Sequence, residues 1–145
     1  MPVAYVIDES RSMVLSRSWG VTGDRDILAH VRTLAADPKF RPHFRQFLDF
    51  RDTERADATR AGIRQVSDLN PFGVGAKRAV AVGSDVIYGM VRMYQVMRAE
   101  RGDELEVFRV ADQAFDWLGI AAADRSGLLA LLAQAPPIRV PEKRD

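Results

Sequence analysis

Apolar and polar residues follow two different periods along this chain, and the periods mark its elements. Over residues 12–19 the side chains alternate, with Met13, Leu15 and Arg17 on one face and Val14, Ser16 and Ser18 on the other. The β-rich run Val3–Asp8 precedes it across the short polar connection Glu9-Ser10-Arg11, so the two predict an antiparallel hairpin at a sheet edge. The period then changes. Ile27, Val31 and Leu34 recur at four and three residues and predict a helix reaching Asp37, capped by Thr22, favoured by Asp24 and Asp26 at its positive end and stopped by Pro38.

The apolar run Phe47, Leu48 and Phe50 predicts a buried central strand, with Asp49, Arg51 and Asp52 at its carboxyl end. A charged loop over residues 52–57 follows, and Asp57 is placed to cap a second helix carrying Ile63, Val66 and Leu69. Residues 79–82 read as another short buried strand, and Ser84 as the cap of a third helix over residues 86–99. A strand over 104–110, a short helix ending at Trp117-Leu118-Gly119, and an amphipathic helix over 124–134 complete the order.

Helix and strand alternating three times imply right-handed crossovers and parallel central strands. The expected fold is therefore a single layered α/β domain over residues 1–135. Its mixed sheet has about five strands, the hairpin antiparallel and the rest parallel, with helices packed on it. Residues 121–135 add a C-terminal helix whose leucines, Leu128, Leu131 and Leu132 with Leu129 beside them, cover the sheet or the domain end or serve a homodimer. Residues 136–145, with Pro136, Pro137 and Pro141, read as a poorly structured tail.

Composition removes several chemistries. The 145 residues contain no cysteine, which excludes disulfides, thiolate metal sites and a cysteine nucleophile. No segment approaches the roughly 20 apolar residues that span a bilayer, and no leader is visible, so a cytoplasmic protein is expected. The 21 basic and 20 acidic residues nearly cancel, which gives no field to gather nucleic acid. Arginine supplies 18 of those cations, so a local anion site stays open.

Six stretches together resemble the bacterial SpoIIAA-like family: residues 15–20 followed by Thr22-Gly-Asp, Phe47-Leu-Asp-Phe-Arg-Asp, Asn70-Pro-Phe-Gly, the small-residue strand before Ser84, Tyr88-Gly-Met-Val-Arg-Met-Tyr94, and Ala114-Phe-Asp-Trp-Leu-Gly119. They span roughly residues 3–120. The resemblance implies a STAS-like fold akin to CRAL-TRIO lipid-transfer domains, and a role in regulation or in binding a small apolar ligand at or near a membrane surface. STAS-type antagonists carry a phosphorylatable serine after the central strand. No serine stands there in this chain, and only Thr53 or Thr59 could substitute, Thr59 being better placed against a helix dipole.

His30 and His43 share no ligand spacing, so no metal is expected, and no Gly-x-Ser-x-Gly elbow supports a hydrolase. No cofactor is implied and no enzymatic activity is expected. Met90, Met93, Tyr94 and Met97 recur at helical spacing and form either core or the floor of an adaptable apolar pocket. Asp49, Arg51, Ser84 and Tyr88 are expected at its polar mouth, while Arg92 and Arg98 are expected in solvent. Two functions follow: a non-enzymatic module binding a small hydrophobic or amphipathic ligand, or a protein-interaction antagonist whose face is the loop and helix over residues 52–69, switched by threonine phosphorylation.

Overall fold

The computed structural model describes residues 3–140. Its elements are β1 (Val3–Asp8), β2 (Met13–Gly23), α1 (Asp24–Ala36), β3 (Arg45–Asp57), α2 (Arg60–Asp68), β4 (Lys77–Val82), α3 (Asp85–Ala99), β5 (Glu104–Phe108), α4 (Ala111–Leu118) and α5 (Ala122–Ala133), with one 3-10 turn at Glu9–Arg11. The five strands lie in sequence order, β1 antiparallel to β2 and every later pair parallel. This is the mixed α/β sheet that the alternating pattern predicts.

Strand order dictates where the helices go. Right-handed crossovers between successive neighbours place α1, α2 and α3 on one face, and α4 and α5 cover the other. The pleat supplies each layer with its own side chains. Met13, Leu15, Phe47, Ala79 and Ala81 pack with Phe115, Leu118, Leu128 and Leu132 under α4 and α5, where the Phe47 and Phe115 rings stack with centroids 4.4 Å apart. Val14, Phe50, Val80, Val82 and Leu105 face the three crossover helices. Leu131 stays 40% exposed, so the buried stripe of α5 is Leu128 and Leu132.

The three crossover helices do not all reach the sheet in the same way. α1 and α3 pack on the strands, whereas α2 packs chiefly on α1 and α3, bridging them as a roof. A helix held off the sheet leaves a gap beneath it, and that gap is the cavity described below.

Several expected boundaries move. The charged segment after Asp52 is not a loop: β3 runs on to Asp57, hydrogen-bonded to the long β2 as far as Gly23 across two register shifts. Charged residues are tolerated there because the end of this two-stranded ladder leaves Arg51, Asp52, Glu54 and Arg55 exposed. The α2 cap is accordingly Thr59, whose hydroxyl accepts from the Gly62 N–H at 2.9 Å, and not Asp57. At α1 the cap is Gly23, to whose N–H the Asp26 carboxylate reaches back at 2.8 Å, while Thr22 is buried at the end of β2. Ser84 caps α3 as expected.

The proline-rich tail also departs from expectation as far as Val140. Pro137 bridges to Ala4, the Ile138 N–H donates to the Val3 carbonyl at 2.8 Å, and Ile138 and Val140 bury against Val3 and Ala29. Prolines are compatible with an edge contact that needs few N–H donors, and the exposed edge of β1 supplies it. Residues 141–145 lie outside the described residues. Among the described residues no helix is long and apolar enough to cross a membrane.

Candidate functional site

Beneath α2, between the sheet and the flanking helices, lies a cavity of about 90 Å3. Its walls are mostly apolar: Ile27 and Val31 from α1, Leu48 and Phe50 from β3, Ile63 and Val66 from α2, Val80 from β4, and Met90 and Val91 from α3. Each comes from an element expected in the sequence to turn an apolar face inward. The cavity exists because these faces meet around α2 without filling the space below it.

One end of the cavity is polar, and its groups form a chain with a single direction. Arg78 in β4 can only donate, and its Nε donates to Gln46 Oε1 in the neighbouring β3 at 3.1 Å. That fixes the Gln46 amide, whose Nε2 donates to the Ser16 hydroxyl oxygen in β2 at 3.1 Å. The Ser16 hydrogen is then free to meet Nε2 of His30 in α1, 2.8 Å away. All four residues are buried. Burial first, and the nearby Arg78 charge second, push the His30 pKa down to about 4, so the ring is neutral and accepts from Ser16. The Tyr5 ring meets the His30 ring edge-on.

On its other side Arg78 meets two partners. Its Nη1 donates to the Tyr94 hydroxyl at 3.0 Å and lies 3.4 Å from Asp103, while its guanidinium stands over the Phe72 ring at 4.6 Å. Asp103 is held more closely by Arg98, which forks onto both carboxylate oxygens at 2.7 and 2.9 Å and donates to the Ser67 carbonyl at the end of α2. Two buried guanidiniums thus share one buried carboxylate, with side-chain exposures of 8% for each arginine and 3% for the aspartate. Arg98 is therefore no solvated helix residue. Its hydrogen bond to Asp103 raises its pKa further.

The opposite end holds the Asp24 carboxylate, which accepts from the Thr59 N–H at 3.0 Å and its hydroxyl at 2.6 Å. These donors and the positive end of α2 answer its charge. Asn70 lines the cavity beside Phe72: its Nδ2 donates to the Phe72 carbonyl, but its buried Oδ1 has no partner.

The expected site residues are only partly brought together. Met90 and Tyr94 line the cavity. Met93 and Met97 turn instead into an open groove between α2 and α3 beside Arg60 and Arg64, Met93 being 41% exposed. Ile87, Val91 and Arg98 hold the buried face of α3, which leaves Met93 and Met97 on its flank. Asp49 and Arg51 pair at 2.8 Å on the other face of the sheet, on the α4 side, away from the cavity. The Ser84 hydroxyl is occupied by the Ile87 N–H, and Tyr88 packs near Phe50 with Arg109 over its ring. Thr53 is buried and hydrogen-bonded to Ser18, whereas Thr59 is exposed as the α2 cap, against Asp24. Ser16, His30, Gln46, Asn70 and Arg78 join the site without a motif in the sequence to mark them. Among the described residues no three His, Asp or Glu side chains gather as a metal site requires.

No protein-family model matches the chain, and no curated protein matches it. Among solved structures it is similar to an uncharacterized DUF3478-family protein with a SpoIIAA-like fold from Shewanella loihica PV-4. The TM-score is 0.54 at 16% identity, over 81% of this chain and 94% of that one. The chain has a SpoIIAA-like fold.

Proposed function

We propose that this protein is a non-enzymatic module that binds a small hydrophobic or amphipathic ligand in the cavity beneath α2. The observation that carries this reading is a buried space walled by apolar side chains and closed at one end by an ordered polar chain. An apolar body with one polar anchor point is the usual composition of a ligand pocket. The cavity measures about 90 Å3. Its size lies below the roughly 150 Å3 of a cavity known to take benzene, so the ligand is small. The implied kinship with CRAL-TRIO lipid-transfer domains agrees with this reading and rests on the sequence resemblance alone.

A catalytic reading finds less support. The Ser16 and His30 pair is buried, and Gln46 donates to the Ser16 hydroxyl rather than holding the ring of His30 as the carboxylate of a triad would. The interaction-antagonist reading meets two obstacles: Thr53 is buried, and a phosphate on Thr59 would face the Asp24 carboxylate. Native mass spectrometry of the freshly purified protein tests the ligand reading. A stoichiometric small apolar mass is expected. A bare protein that also fails to take up any small apolar compound on titration would overturn it.

A further inference from the structure

The polar end of the cavity carries one positive charge more than its surroundings neutralise. Arg78 and Arg98 share the single carboxylate of Asp103, and Arg98 has the better of it, with two bonds at 2.7 and 2.9 Å against one contact at 3.4 Å for Arg78. The remaining partners of Arg78 are neutral: the Gln46 carbonyl oxygen, the Tyr94 hydroxyl, and the faces of Phe72 and Tyr94. Its second terminal nitrogen takes no part in these bonds. His30, held neutral, adds no charge of either sign. Asp68, which also acts on Arg98, is exposed and paired with Arg101 at 2.8 Å.

A buried cation without a full counter-charge is costly, and a bound anion removes that cost. The other end of the cavity is unsuited to an anion, because Asp24 stands there. The polarity is therefore fixed: negative at the α2 N-terminal end, positive at Arg78, apolar between. Resting on the reading of this cavity as a ligand site, we infer that its ligand is a small monocarboxylate, with its chain among Leu48, Phe50, Val80 and Met90 and its carboxylate on the Arg78 guanidinium.

The fair competitor is the matching primary amide. It has the same shape and no charge, and its N–H could donate to the unpartnered Oδ1 of Asn70. Calorimetric or NMR titration of the full chain with butanoate and with butanamide at neutral pH separates the two. Because a charge-assisted hydrogen bond is roughly twice as strong as a neutral one, butanoate should bind roughly tenfold more tightly than butanamide. Its advantage should fade as the acid is protonated at lower pH. Arg78→Gln, checked for folding by circular dichroism, should bring the two affinities together. Should that variant not fold, the wild-type comparison decides alone.

Equal affinities, or tighter binding of the amide, would overturn the carboxylate while leaving the cavity as a ligand site. Saturable binding of neither compound would overturn both readings. Met90→Trp, which fills the apolar part of the cavity, should weaken acid and amide alike. Undiminished butanoate binding in that variant would place the anion elsewhere and contradict the assignment.

Discussion

Nε2 of His30 lies 2.8 Å from the hydroxyl oxygen of Ser16, and the bond runs from the serine to the ring. Gln46 already donates to Ser16, so protonating His30 would set two donors against one hydroxyl and reverse its role. The consequence is a pH dependence with a definite sign. The unfolded chain takes up the proton near 6.5, while burial and Arg78 hold folded His30 at about 4. Between these values the unfolded state binds more protons. The stability conferred by the neutral ring is thus complete above pH 6.5 and is lost as pH falls to about 4 and below, on the order of 3 kcal/mol in all. In urea melts at pH 7, 5.5 and 4.5, His30→Gln should lose less stability on acidification than wild type. Parallel curves would show that His30 is not the titrating group.

Asp103 holds two buried guanidiniums, so neutralising it should be costly in proportion to what it leaves behind. Asp103→Asn should destabilise the protein by about 3 to 5 kcal/mol, the range for stripping a buried pair of its partner. The exposed pair Arg101 and Asp68 is the contrast: Asp68→Asn should cost no more than about 1 kcal/mol. Similar losses in the two variants on chemical denaturation would contradict the picture of a buried, shared carboxylate.

Much of the fold is legible in the sequence because each of its determinants is local. The period-two run over residues 12–19 and the spacing of Ile27, Val31 and Leu34 show which way each element faces, and alternation then gives parallel strands. The site is less legible because its determinants lie in register. Gln46 and Arg78 read singly as polar residues at strand starts, and they become neighbours only through the pairing of β3 with β4. Ser16 sits on the buried face of an alternating strand, where the even positions look half-polar. That was the one visible signal, and His30, following an apolar spacing in α1, was its missing partner. The charged run after Asp52 misled for a related reason: a long two-stranded ladder satisfies its backbone without burying its side chains.

Gly83 turns the chain from β4 into α3 where the backbone of β3 passes close by. A Cβ placed there would come within 2.5 Å of the Arg51 carbonyl oxygen, which is backbone and cannot swing aside. Gly83→Ala should therefore cost about 1 to 3 kcal/mol, the range for overpacking, read as a lowered melting temperature. An unaltered melting temperature would mean that the turn has room this geometry denies it.

The two methionines of α3 should behave differently. Met93, 41% exposed in the open groove, should tolerate alanine within about 0.5 kcal/mol and without effect on ligand uptake. Met90 lines the cavity, so Met90→Ala should enlarge it and cost about 2 kcal/mol while admitting bulkier compounds. A binding defect in Met93→Ala, with Met90→Ala normal, would move the site to the groove between α2 and α3.

Whether the space under α2 takes up a small apolar molecule is tested most directly by a methyl-detected NMR titration with neutral cyclopentanol. Saturable shifts are expected at Val80, Met90, Val91 and Leu105, which surround the cavity, and none at Leu128 or Leu132 on the opposite face. Met90→Trp, folded by the same spectra, should show no saturation. Shifts absent from the cavity methyls in wild type, or retained in full in Met90→Trp, would contradict uptake beneath α2.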